Sequence, residues 1–224
     1  FFESYIKELL QNCFKNAPES TLLLFDDLKI KTSKGEIELS DIYFRQKNRV
    51  LIGQAKGVSI YDIEKYSGES ALFYGNDENS FFNKFGLDQL SKSILNLDKY
   101  VKGFDINFPD GLCEIYPVIV FNDKALQTPF VSDVFIDKFK AIVNNYDFSN
   151  LKIHSLQLIH ISDWEVIEYE INNDSEYLWR TLEKNVHKPV NVHFQYEGTN
   201  DRVSETVPKR IMDTFHELIR KYKT

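Results

Sequence analysis

Apolar residues recur at Phe2, Tyr5, Ile6, Leu9, Leu10 and Cys13, the spacing of one helix face, so residues 2–14 are predicted to form an amphipathic helix. The period then shortens. Leu22 to Phe25 is a brief apolar run that predicts a strand, and Lys34-Gly35 marks a turn. Two apolar runs, Ile37 to Phe44 and Val50 to Ala55, flank the polar stretch Arg45-Gln46-Lys47-Asn48-Arg49 and predict an antiparallel hairpin. Leu39, Tyr43 and Ile52 share one face of it, and Ile42, Phe44 and Leu51 share the other. A strand pair apolar on both sides is expected to be covered by helices on both sides. Leu87, Leu90, Ile94, Leu97 and Val101 predict one continuous helix, Tyr116 to Phe121 a buried strand, and Phe135, Phe139, Ile142 and Val143 a third helix. Leu156 to Ile161 predicts another strand, and Ser162-x-x-Glu165 has the form of a capping box that starts a short helix. Leu178, Trp179, Leu182 and Val186 are helical in spacing. Val190, Val192, Phe194 and Tyr196 alternate with polar residues as a half-exposed strand, and Ile211, Phe215, Leu218, Ile219 and Tyr222 predict a closing helix. The expected class is α/β, a central mixed β-sheet flanked by helices on both faces. Residues 1–224 are expected to form a single domain, with a core of about 1–160 and C-terminal strand and helices over 161–224.

The hairpin has a register worth working out. A two-residue turn at Lys47-Asn48 pairs Gln46 with Arg49, and a four-residue turn pairs Arg45 with Val50. Both place Asp41 opposite Gln54, with Lys56 two residues further on the same face. A three-residue turn would flip one strand and scatter the three.

Composition narrows the function classes modestly. The chain of 224 residues is 42% hydrophobic, 27% charged and 14% aromatic, with a net charge of −7. That charge argues against a broadly basic nucleic-acid coat but leaves room for a local basic groove. No apolar run is long enough for a transmembrane helix, the N-terminus lacks a signal-peptide pattern, and no membrane association is expected. Cys13 and Cys113 form neither a metal-binding spacing nor a disulfide framework, which fits a reducing cytoplasm. The opening at Phe1 rather than Met fits a piece of a longer protein. The five histidines (His154, His160, His187, His193 and His216) show no zinc spacing, and His154 and His160 are expected to be structural.

A carboxylate and an amide oxygen held together at a strand pair suit a hard divalent cation, so Asp41 and Gln54 are expected to bind Mg²⁺, with Mn²⁺ able to substitute. Such an ion polarises a phosphate and activates a bound water. The neighbouring Lys56 can orient that water or stabilise negative charge in the transition state. These parts make a metal-dependent phosphodiesterase. Arg45, Lys47 and Arg49 at the hairpin tip, and Lys209, Arg210, Arg220, Lys221 and Lys223 in the closing helix, could contact phosphates. The aromatic residues between Tyr61 and Phe85 could stack on unpaired bases, gate the site, or pack on the core.

A helix, then Asp on one strand, then Gln-x-Lys ending the next, then a second helix, resembles the PD-(D/E)XK or restriction-endonuclease-like nucleases. VLIGQAK is similar to the Gln-x-Lys strand of the Mrr-like members, and Phe2-Glu3 to the Phe-Glu pair of their opening helix. The proline of the family's name is replaced by Ser40. The resemblance covers the first half of the chain and only the element order of the second. It implies a restriction-endonuclease-like core and a DNA endonuclease of prokaryotic restriction or anti-phage defence, with RNA as another substrate. It also implies Glu3 as a third acid, and Gln89, Lys92 and Asn96 as polar residues turned toward nucleic acid; helical-wheel arithmetic places Glu3 near the core boundary while Glu8 points further out. Two-strand cleavage in this family commonly uses two sites, which implies a homodimer or a further domain or subunit for DNA binding. A catalytically silent member, serving as a nucleic-acid- or protein-binding module, is the alternative from another class.

Overall fold

The computed structural model of the protein describes residues 1–32, 35–59, 81–127 and 129–186, together with residues 216 and 220 as helical positions. Helix α1 (Phe2–Phe14) buries Tyr5, Ile6, Leu9, Leu10, Cys13 and Phe14, the predicted stripe. Strand β1 (Ser20–Leu24) follows, then β2 (Lys29–Thr32), β3 (Gly35–Glu38), β4 (Ile42–Gln46) and β5 (Arg49–Lys56). Three helices come next: α2 (Phe81–Lys84), α3 (Leu87–Leu95) and α4 (Leu97–Phe104). The remaining elements are β6 (Cys113–Phe121), α5 (Pro129–Val143), β7 (Leu151–Ile153), β8 (Gln157–His160), α6 (Ile161–Asn173) and α7 (Glu176–Val186).

The central sheet has six strands, in the order β1-β4-β5-β6, with β7 and β8 both pairing with β6. The β1–β4 and β4–β5 pairs are antiparallel, and those of β6 with β5, β7 and β8 are parallel. The sheet is therefore mixed. Pro117 accounts for the division of its edge: β7 pairs with Cys113 to Ile115 and β8 with Val118 to Phe121, so the proline, which has no N–H to donate, lies between the two ladders.

Side chains alternate across the sheet into two cores. Tyr43, Val50, Ile52, Ile115, Ile119 and Phe121 face a core built with α2, α3, α4 and α5. Ile42, Phe44, Leu51, Tyr116, Val118 and Val120 face a second one built with α1, α6 and α7. Helices thus flank both faces, as the doubly apolar hairpin requires. Phe81, Phe82 and Phe85 belong to the first core, with the Phe82 and Phe135 rings 5.1 Å apart. The predicted strand over 190–196, the closing helix apart from positions 216 and 220, His187, His193, and Tyr61, Tyr66, Phe73 and Tyr74 lie outside the described residues.

Three expectations are corrected. The run Ile37 to Phe44 is not one strand: β3 pairs with β2 in a separate two-stranded ribbon, and the chain breaks over Leu39-Ser40-Asp41 before β4 enters the main sheet. The helix expected over 87–101 is divided at Asn96, which ends α3 and precedes α4. Helix α6 is capped by His160 rather than by a Ser162–Glu165 box, the His160 Nδ1 accepting the Ser162 N–H at 3.1 Å while Nε2 lies 3.1 Å from the Asn122 carbonyl.

Candidate metal centre and cleft

The hairpin turn has two residues. Gln46 pairs with Arg49 and Ile42 with Gly53, and Lys47 adopts a positive φ of 56°, which tight hairpins favour. One step beyond Ile42, the strand break holds Asp41 from both sides. Its N–H donates to the Gly53 carbonyl at 3.2 Å, and its own carbonyl accepts the Phe25 N–H at 2.9 Å. Ser40 Oγ adds a hydrogen bond to the Gly53 carbonyl at 2.6 Å.

The break has a local consequence for β5. Past Gly53, β4 no longer supplies a partner, and the Ala55 N–H would be left without an acceptor on that side. Asp41 Oδ2 accepts it at 2.8 Å and lies 3.4 Å from Lys56 Nζ. Asp41, Gln54 and Lys56 are thereby gathered at one end of the hairpin, as the register reasoning requires. Gln54 is only 3% exposed, yet its amide has no hydrogen-bond partner among the described residues. The amide is not sealed in the core, and its tip opens on free space.

What it meets is a cleft of about 280 Å³ lined by Asp41 and Gln54, by Ile37, Glu38 and Leu39, and by Gln89, Lys92, Ser93 and Asn96 of the α3 segment. Helix α3 is tied to the strand break by Ser93, whose hydroxyl donates to the Leu39 carbonyl. Gly86 seats the start of that helix. Its φ is +77°, and a Cβ there would lie 2.4 Å from Lys56 Cε and 3.3 Å from Gln54 Cβ. Gly57 plays a similar part for α1, since its Cβ would fall 2.8 Å from that of Phe2.

Gln89, Lys92 and Asn96 line the cleft, Gln89 and Lys92 exposed and Asn96 donating to the Lys92 carbonyl at 2.8 Å. Glu3 does not line it. It is exposed in the first turn of α1, on the helix covering the opposite sheet face, while Glu8 is half-buried, the reverse of the helical-wheel expectation. The reason is that the first turn of α1 lies at the end of β5, where Phe2 meets Gly57 and Glu3 has little left to pack against.

Arg45 is corrected outright. It is buried, and its guanidinium binds Asp105 (Nη2–Oδ1 3.1 Å) and Thr21 (2.8 Å), while Tyr43 Oη donates to Asp105 at 2.7 Å. Burial alone would raise the Asp105 carboxyl, but the hydrogen bonds from Arg45 and Tyr43 outweigh it and hold the group below the usual carboxylate range. Arg49 is likewise engaged, by Glu176 at 2.6 Å and by the Trp179 ring. Lys47 is exposed at the tip, about 20 Å along the chain from Asp41 at roughly 3.3 Å per extended residue. The basic tip and the cleft are separate places. Arg220 is exposed, and Lys209, Arg210, Lys221 and Lys223 lie outside the described residues.

Glu38 was not singled out from the sequence. In an unbroken strand it would face away from Asp41, three residues on; the break turns it into the same cleft. Glu38 is exposed, but partial desolvation at the cleft, then the negative charge of Asp41, pushes its carboxyl above the usual range, with Glu3 adding to the rise and Lys29 and Lys56 opposing it. The only signal in the sequence was Ser40 interrupting an apolar alternation.

A carboxylate and an amide oxygen in one polar cleft fit a hard divalent cation that retains waters. Among the described residues, no three His, Cys, Asp or Glu side chains gather closely enough to hold an ion without the glutamine. No described helix is long and apolar enough to cross a membrane, and both cysteines are free and buried.

No protein-family model matches the chain, and no curated protein does. Among solved structures it is similar to the small subunit (R.BspD6I2) of the heterodimeric restriction endonuclease R.BspD6I, with a TM-score of 0.37 and 10% sequence identity over 96% of this chain and 97% of that one.

Proposed function

We propose that the protein is a divalent-metal-dependent nuclease with a restriction-endonuclease-like core, hydrolysing phosphodiester bonds in DNA. The observation that carries this reading is the Gln54 side chain, nearly buried and unpartnered among the described residues, in a cleft it shares with Asp41 and beside Lys56. Asp41 and Gln54 would hold Mg²⁺ or Mn²⁺, which would supply the charge that polarises the scissile phosphate and acidifies a water. Asp41 Oδ2 positions the Lys56 ammonium, which stabilises charge developing on the phosphate. Lys92, exposed on the opposite wall, attracts the phosphate backbone, and Gln89 and Asn96 offer hydrogen bonds beside it. Glu3, at the end of α1, acts on the site through its charge.

The family resemblance adds a restriction or anti-phage setting in a prokaryotic cytoplasm, RNA as another substrate, and a second copy or a further subunit for two-strand cleavage. The test is nicking of supercoiled plasmid with Mg²⁺ or Mn²⁺ by the wild type and by Lys56→Ala. Activity that depends on metal and disappears in the variant is expected. Equal activity in both, or none in either, would sink the enzyme reading.

One observation favours a second reading, a catalytically silent binding module. Asp41 Oδ2 already serves Ala55 and Lys56, so the carboxylate has a structural task without any ion. Under that reading nucleic acid binds equally well with EDTA present and is not cut.

A further inference from the structure

We propose that Glu38 is an oxygen donor to the divalent cation of the Asp41–Gln54 site, making the donor set two carboxylates and one amide. The inference rests on the metal-dependent reading above and names a residue that neither the motif nor the opening helix would suggest. The argument begins with charge. Glutamine brings no charge, and Asp41 commits Oδ2 to the Ala55 N–H and the Lys56 ammonium. What is left of Asp41 and a neutral amide makes a poor set for an ion that typically takes one or two carboxylates and sheds its waters reluctantly.

Glu38 meets the shortfall by position. It ends β3 at an exposed position on the rim of the same cleft that Asp41 and Gln54 line, and its carboxylate makes no hydrogen bond or ion pair among the described residues. Gln54 supplies the independent sign of a ligand: it is 3% exposed, lines the same cleft, and its amide is unpartnered among the described residues. Glu38 is held there by the fold. The β2–β3 ribbon pairs Lys29 with Glu38, the Leu39 N–H donates to the Leu28 carbonyl at 3.1 Å, and Ser93 binds the Leu39 carbonyl from α3. Glu3, the acid expected from the opening helix, does not line the cleft.

The test is Mn²⁺ binding to the full chain, measured by calorimetry and by the loss of free-ion paramagnetic resonance signal, in wild type, Glu38→Gln, Glu3→Gln and Asp41→Asn. Glu3→Gln controls for simple loss of nearby negative charge, since Glu3 acts on Glu38 through space. Glu38→Gln is expected to weaken binding at least about tenfold, the low end of what disturbing a metal site costs, with Glu3→Gln several times less harmful and the melting temperature of Glu38→Gln unchanged. Equal weakening by Glu38→Gln and Glu3→Gln, or unchanged affinity in Glu38→Gln while Asp41→Asn abolishes binding, overturns the role of Glu38 and leaves the metal reading standing. A wild type that binds no Mn²⁺ overturns both.

Discussion

The same hairpin face carries two polar clusters, and they differ in one respect. Near the tip, Asp105 is saturated: Arg45, Tyr43 and Thr21 all hydrogen-bond to it, and the group is buried under the sheet. At the open end, Asp41 has Ala55 and Lys56, while Gln54 beside it has no partner among the described residues. Both clusters pair a carboxylate with a cation on otherwise apolar strands. What separates them is completeness. A finished network fixes a fold, whereas an unfinished one beside a cleft leaves donors and acceptors for a ligand.

The comparison is broken most severely by Arg45→Ala. Removing one partner of a buried ion pair typically costs about 3–5 kcal/mol, so urea unfolding should show a loss of that order with Mn²⁺ affinity in the surviving folded protein unchanged. Lys56→Ala should do the reverse: cleavage falls by about 10²–10³-fold, as for loss of a transition-state donor, while stability moves by no more than about 1 kcal/mol, the worth of a partly exposed pair. Comparable loss of stability in both variants would erase the distinction.

Acid sharpens it further. The Asp105 carboxyl is depressed in the folded protein, so its stabilising contribution is complete above the ordinary aspartate value of about 3.9 and is lost as pH falls toward the lower folded value. Unfolding free energy should therefore drop more steeply below about pH 4 in the wild type than in Arg45→Ala, where only Tyr43 and Thr21 are left to oppose the effect of burial on Asp105. Parallel curves would refute this account of Asp105.

Gly86→Ala is the next smaller change. A non-glycine residue in left-handed backbone costs about 1–2 kcal/mol, and the added methyl would collide with the Lys56 stem. Cleavage should fall by more than the stability loss explains. Gln54→Glu is the mildest and the most diagnostic: a lower melting temperature without metal, because a nearly buried carboxylate is unpaired, and a larger upward shift on adding Mn²⁺ than the wild type shows. If that substitution abolishes binding in a folded protein, Gln54 is not a ligand.

Much of this was legible along the chain because periodicity is local. The Asp41–Gln54–Lys56 grouping follows from a two-residue turn, and Gln89, Lys92 and Asn96 from a helix spacing that the structure keeps through α3. What was hidden depends on distant partners or on breaks that leave the alternation intact. Arg45 looks like an exposed tip residue until Asp105, 60 positions later, is brought under it. Leu39, Asp41 and Tyr43 keep their parity across the interruption, so apart from Ser40 nothing in the pattern announces that β3 leaves the sheet or that Glu38 comes to line the cleft. His160 displaces the expected cap because its imidazole accepts the Ser162 N–H, which a capping pattern built on Ser, Thr, Asp and Asn does not anticipate.

The hydrogen bond from Ala55 to Asp41 bears on how relatives of this chain should be interpreted. One oxygen of Asp41 closes the frayed edge of β5, so selection on folding alone would keep an aspartate there after any chemistry had gone. Gln54 does no comparable service, for its amide makes no hydrogen bond among the described residues and opens on the cleft, so nothing in the fold requires an amide there. In a lineage that had given up the reaction, position 54 would drift while position 41 stood still. The neutral residue, and not the acid, is the marker of a working site.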